Sequence, residues 1–254
     1  MNQVKKIGAH YFRVPLQGHL VDALHGTHSH FELITATVTL EDGSIGTGYT
    51  YTGGFGGAAI YAMIVRDLAP QLENQTFETP EKLNDFMNQH IHYVARGGIA
   101  SFAISAIDIA FWDATLKRDG IPLCEAFGRT PKKVRTYYGG IDLAYSETEL
   151  LKNLQNQLQN GHTAVKIKLG RPGEQEDIDR IRAVRKLIGE DALFMVDANM
   201  VWNVDKAIRM ARKMEEFNIT WLEEPTNPDN YEGYARIGQA TRIPIAMGEN
   251  LHTI

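Results

Sequence analysis

From residue 131 onward the sequence alternates strand-like and helix-like segments, and this rhythm restricts the fold more than any other feature. Strand candidates fall at 134–139, 164–169, 193–197, 220–222 and 243–247. Helix candidates lie between them at 147–160, 177–188, 204–217 and 231–241. Such alternation predicts parallel strands joined by crossover helices, in either a doubly wound sheet or a barrel. No GxGxxG follows the first strand candidate, which counts against a dinucleotide-binding sheet. The first 130 residues follow another plan. β-branched and aromatic residues at 31–40 and 45–52 flank Asp42-Gly43, a hairpin signature, and 7–14 supplies a third strand candidate. Helical spacing follows, with Ile99, Phe102, Ala103, Ala106, Ile109 and Ala110 on one pattern that Gly120 and Pro122 end. Strands followed by helices predict an α+β domain over 1–130, ahead of an α/β domain over 131–254.

Acidic residues mark the ends of three successive strand candidates: Asp197 in MVDAN, Glu223 in WLEEP and Glu249 in MGEN, each 26 residues after the last. In a barrel this repeat sets three carboxylates side by side at the catalytic face. Three anions so placed repel unless a cation sits among them, and hard oxygen ligands favour Mg²⁺ over zinc. The competing reading is three unrelated acids that cap helices or pair with surface lysines, which the regular array disfavours. One strand earlier, Lys166 and Lys168 flank Ile167. Alternation points both lysines to one face and Ile167 to the other. Inward lysines require an anionic partner, and cations this close lower the pKa of a lysine, which makes a usable base near neutral pH. Asn199 stands two residues after Asp197 and is a candidate to reach a substrate by the same alternation.

The motifs AVKIKLG, MVDAN, WLEEP and MGEN, with the helix AIDIAFWDATLKRDGIPLCEAFG, resemble the mandelate racemase branch of the enolase superfamily, in the mandelate racemase/muconate lactonizing enzyme family. The resemblance covers essentially the whole chain. It implies an α+β capping domain over 1–130 and the N-terminal part of a TIM-type (β/α) barrel over 131–254, with about five of eight strands present. It implies that Asp197, Glu223 and Glu249 bind Mg²⁺, that Lys168 removes the proton next to a substrate carboxylate to give an enediolate, and that Lys166 assists it. The expected outcome is dehydration of a sugar acid (aldonate or aldarate) to a 2-keto-3-deoxy acid. Racemisation, epimerisation or cycloisomerisation of an α-hydroxy acid is the alternative, and a catalytically dead fragment that only binds a ligand or partner is an alternative of another class. The family's second acid/base, a histidine paired with an aspartate, is expected beyond residue 254.

Two capping-domain loops, at 18–30 and 49–57, are expected to cover the site. The first holds His19, His25, His28 and His30, of which His25 is the candidate substrate contact. A soft-metal site there is disfavoured. The second, YTYTGGFGG, reads as a hinge and not a phosphate cradle, with Tyr51 as a candidate substrate contact. His252 reads as a neighbour of the site. A net charge of −5 argues against nucleic acid as a partner. A single cysteine, Cys124, excludes an internal disulfide and a Cys-rich zinc site. The most apolar stretch, 97–112, is interrupted by Ser101, Ser105 and Asp108 and falls short of a membrane span. The expected setting is cytoplasmic, with a small-molecule carboxylate substrate, no membrane partner and a homo-oligomeric assembly.

Overall fold

The computed structural model describes residues 2–252, with the side chain of His19 outside the described set. The chain divides into two compact units. One holds Ser29–Lys133 together with the N-terminal strand up to Leu16 and His252; the other holds Gln17–His28 and Val134–Leu251.

The first unit is built on a four-stranded sheet of β1 (Asn2–Asp22), β2 (Gly26–Leu40), β3 (Ile45–Thr52) and β4 (Thr76–Phe77), in the order β3-β2-β1-β4. β2 and β3 pair antiparallel, with Val38 opposite Gly46 and Glu32 opposite Thr52. Asp42 closes their turn by accepting the Ser44 amide at 2.9 Å, and Gly43 takes the positive φ that the turn needs. The helix Ile99–Asp119 lies on β3 through a stripe of small residues, including Ala106, Ala110 and Ala114. Its approach is so close that a Cβ on Gly46 would stand 2.0 Å from the Ala110 carbonyl oxygen. By length and composition this helix is apolar enough to cross a bilayer, with a mean hydropathy of 1.5, which corrects the expectation that no segment reaches that threshold. Half of its most apolar window is buried inside the unit, as in a core helix.

Both expected loops prove more ordered than the sequence suggests. β1 runs on to Asp22 and β2 begins at Gly26, so the segment 18–30 is the tip of a long hairpin with a turn at 23–25. Asp22 holds this turn, its Oδ1 accepting the amides of Leu24 (3.0 Å) and His25 (2.7 Å). In the second segment, 49–52 belong to β3, and the amide of Gly57 donates to Glu32 Oε2 at 2.7 Å. Glu32 also accepts the hydroxyls of Tyr11 and Thr52, so the glycine-rich bend wraps an internal carboxylate.

The second unit contains five parallel strands, β5 (Tyr138–Gly139), β6 (Ala164–Lys168), β7 (Leu193–Asp197), β8 (Trp221–Glu223) and β9 (Ile245–Ala246). Their spatial order equals their chain order, the arrangement of a barrel wall; a doubly wound sheet reverses direction partway. Helices Glu147–Gln159, Glu174–Ile188, Val204–Met214 and Tyr231–Ala240 connect them. Ser146 and Glu149 form a capping box, and Asn203 and Asn230 cap the third and fourth helices. Val165, Ile167, Phe194, Val196 and Leu222 alternate onto the face covered by these helices and pack with Ile181, Val184, Ala207, Met210 and Ile237. The intervening residues of the same strands are therefore left for the opposite face.

Candidate active site

That opposite face carries the charged residues. The parallel register puts Lys168, Asp197, Glu223 and Ala246 on one rung, at the C-terminal ends of their strands. Lys166 stands one rung below, paired with Gly139 and Met195. Asp197 is fully buried. Its Oδ2 accepts Lys168 Nζ at 2.8 Å and faces Lys166 Nζ at 3.2 Å, while its Oδ1 accepts the Asn199 amide at 2.9 Å. Glu223 Oε1 lies 2.5 Å from Lys166 Nζ, and Glu223 Oε2 accepts the indole N–H of Trp221 at 2.9 Å. The structure thus brings together Lys166, Lys168, Asp197, Glu223 and Asn199. Glu249 stands in the turn beyond β9, exposed. The equal spacing of the three acids does not translate into equal rungs, because Glu223 is paired with Ala246, three residues before Glu249.

Burial opposes the charge of Lys166, but Asp197 and Glu223 outweigh it and hold this ammonium above its ordinary range. The shift is opposite to what two adjacent lysines alone would produce, since the carboxylates stand between them. Sequence reasoning missed Glu224. Its neighbour Glu223 occupies the rung, and Glu224 leaves the strand at φ +40 with its side chain buried. Glu224 Oε1 accepts Asn250 Nδ2 at 2.9 Å, and its Oε2 has no partner among the described residues. Burial, followed by repulsion from Glu249, Asp197 and Glu223 and against the Asn250 hydrogen bond, pushes its carboxyl up to about 7. Asn199 and Met200 also have positive φ, so three of the four described non-glycine residues of this unit in that region stand beside the rung, Asn218 being the other. The doubled acid in WLEEP was the available signal, but strand alternation assigns only one of the pair to this face.

The donor set fits a hard divalent cation. The Glu224 carboxyl lies within electrostatic range of those of Asp197, Glu223 and Glu249. The Lys166 ammonium bridges Asp197 and Glu223 as a cation would. The buried oxygens Asn199 Oδ1 and Glu224 Oε2 lack partners among the described residues. Oxygen-only donors of this kind suit Mg²⁺.

The remaining candidates are more dispersed. His25 and His28 meet at Asp22 in the second unit. His30 pairs instead with Arg13 (3.0 Å) and Ser29 (2.9 Å) in the first unit, and the side chain of His19 lies outside the described residues. The expected group of four histidines is therefore not one cluster among the described residues. Tyr51 is exposed on β3, with its ring 5.7 Å from that of Phe31. His252 groups with the first unit, its ring edge-on to Phe102 at 5.4 Å.

Residues 7–128 match the model of the mandelate racemase/muconate lactonizing enzyme N-terminal domain, and residues 149–254 match the enolase C-terminal domain-like model. The chain belongs to the mandelate racemase/muconate lactonizing enzyme family of the enolase superfamily. It is 43% identical to a 3,6-anhydro-alpha-L-galactonate cycloisomerase of Streptomyces coelicolor, over 99% of this chain and 70% of the relative. It is 39% identical to an L-talarate/galactarate dehydratase of Salmonella typhimurium, over 86% of this chain and 55% of the relative. Among solved structures, a racemase from Streptomyces coelicolor with bound magnesium superposes with a TM-score of 0.96 at 43% identity, covering 98% of this chain and 70% of that one.

Proposed function

We propose that the rung of β6, β7 and β8 belongs to a Mg²⁺-dependent enzyme that removes the proton next to the carboxylate of a sugar acid, with loss of the β-hydroxyl to give a 2-keto-3-deoxy acid. The single observation that carries this reading is the cluster of Lys168, Lys166, Asp197 and Glu223, in which buried ammonium and carboxylate groups share one strand-end face. Asp197, Glu223 and Glu249 would hold the metal. Bound there, Mg²⁺ supplies Lewis-acid charge that stabilises negative charge on the substrate carboxylate.

Lys168 is the base. Its side-chain nitrogen is held by Asp197 at 2.8 Å and its backbone amide by Asp142 at 3.0 Å, so the point of proton removal, by the neutral amine, is set from both ends of the residue. Lys166 contributes a fixed positive charge beside the developing enediolate, in a site where burial strengthens that interaction. Asn199 offers a substrate hydroxyl its buried amide oxygen, which has no partner among the described residues.

The similarity to the dehydratase supports the choice of reaction, and both named relatives act on sugar-derived acids. The 43% identity to a cycloisomerase favours cyclisation as a second reading that begins with the same proton abstraction. A panel of aldonates, aldarates and anhydro sugar acids, incubated with Mg²⁺ in D₂O, separates them. Dehydration gives a 2-keto acid lighter than its substrate by one water, whereas cycloisomerisation gives an isomer, itself a 2-keto acid where an anhydro ring opens, so the mass of the product and not the semicarbazide signal alone distinguishes them. Absence of product and of α-deuterium exchange across the panel would refute both.

A further inference from the structure

We propose, against the expectation from the sequence, that Asp22, His25 and His28 form a binding site for one divalent transition-metal ion of the zinc type, separate from the carboxylate group at the strand ends. All three residues belong to the second unit. Asp22 Oδ1 is engaged by the amides that close the turn. Both imidazoles reach the other oxygen, with His25 Nδ1 at 3.0 Å and His28 Nε2 at 2.6 Å from Asp22 Oδ2, and His25 Nδ1 also lies 3.1 Å from Oδ1. One ligand atom from each residue lies within 4.8 Å of the other two. With metal–ligand bonds of about 2.0–2.1 Å, the ligand atoms of a tetrahedral zinc site stand roughly 3.3 Å apart, so small movements convert this cluster into a coordination sphere.

The donor chemistry selects the ion. Two imidazoles and one carboxylate suit zinc, cobalt or ferrous ions, whereas Mg²⁺ prefers oxygen. The side chains of Asp22 and His28 are 6% and 10% exposed, and that of His25 is 49% exposed. The site is thus walled on two sides and open on one, which leaves a coordination position for water or another small ligand. Its support is also built. Val21 donates its amide to the Ile141 carbonyl (3.3 Å), and its own carbonyl accepts the Leu143 amide (3.1 Å). Ala23 packs where Gly170 has no side chain, since a Cβ there would meet the Ala23 Cβ at 2.5 Å. The hairpin tip is therefore moored to the barrel wall on both sides of Asp22, and a bound ion would lock the turn between β1 and β2.

Titration with Co²⁺ in saturating Mg²⁺ tests the site, because excess Mg²⁺ occupies the oxygen ligands at the strand ends. The expected result is one equivalent of Co²⁺ bound, with visible d–d absorption of a four- or five-coordinate site. Affinity should fall at least about tenfold in His28→Ala and in His25→Gln, and remain unchanged in Glu223→Gln. His25→Gln alters an exposed side chain, and circular dichroism of each variant separates lost ligation from lost folding. Absence of saturable Co²⁺ binding overturns the proposal, as does binding that survives His25→Gln or His28→Ala.

Discussion

The pair Asp142–Arg180 offers the sharpest test of how the second unit supports its site. Their side chains are 2% and 3% exposed, with Arg180 Nη2 2.8 Å from Asp142 Oδ1. The same oxygen accepts the Lys168 amide at 3.0 Å, and Arg180 also donates to the carbonyls of Asp142 and Tyr145. Burial raises the Asp142 pKa and lowers that of Arg180; in each case it outweighs the partner's attraction. A buried ion pair is in general weak evidence of stability, yet neither charge tolerates being left alone. Asp142→Leu strands a buried guanidinium and should cost about 3–5 kcal/mol. At a urea slope of about 2 kcal/mol/M, a loss of about 4 kcal/mol lowers the midpoint by about 2 M. Adding Arg180→Met removes the stranded charge. The double variant still leaves the Lys168 amide without its acceptor, a cost of about 1–3 kcal/mol, so it should recover roughly 2 kcal/mol over the single. Urea unfolding followed by circular dichroism measures all three proteins. A double variant less stable than Asp142→Leu alone would refute the claim that desolvation dominates this pair.

In the first unit, Gly46→Ala drives a methyl into the backbone of Ile99–Asp119, and thermal unfolding should show a loss of about 1–3 kcal/mol or more. Lys168→Met should reduce α-proton exchange into D₂O by at least about 10²-fold, followed by proton NMR, while Mg²⁺ affinity stays within a few-fold of the parent. Burial raises the Asp22 pKa, but the His25 amide and the two imidazoles lower it further, so it lies below the ordinary value. Its stabilising contribution is present above the unfolded carboxylate pKa and is lost as pH falls through the depressed folded value. The gap in stability between parent and Asp22→Asn should accordingly close on acidification, as read by urea midpoints from neutral pH downward. Glu224→Gln preserves an acceptor for Asn250 and should be tolerated better than Glu224→Ala, with thermal unfolding as the comparison.

The readable parts of the structure are those that local pattern controls. β7 occupies 193–197 as expected, because an unbroken apolar run ends abruptly in Asp197. The opposition of Ile167 to Lys166 and Lys168 follows from the two-residue repeat of a strand. Extent and register were hidden. The segment 134–139 is rich in strand-forming Val134, Thr136, Tyr137 and Tyr138, yet only Tyr138–Gly139 pair, because the length of a ladder depends on its partner. The expected loop at 18–30 is instead the tip of a hairpin, since its glycines and histidines signal a break while Asp22 completes the turn through side-chain bonds. Asp142 and Arg180 are 38 residues apart and left no trace in any local pattern.

The charged face and the fold depend on the same alternation. Within β6, Val165 and Ile167 enter the helix-covered core while Lys166 and Lys168 meet carboxylates on the other side. A slip of one residue would push both lysines into an apolar core and expose both apolar side chains, so register is specified twice. Burial of the apolar set fixes it from one face, and the ion pairs reject the alternative from the other. The cost appears at the strand ends, where Asn199, Met200 and Glu224 adopt positive φ and two buried oxygens lack partners among the described residues. That strain is held by a backbone lattice in which Ala198 bonds to Glu223, Met200 to Glu224 and Glu224 to Ala246. The rung remains aligned because each strand end is tied to the next, and substitutions that loosen those ties should disturb the site before they unfold the sheet.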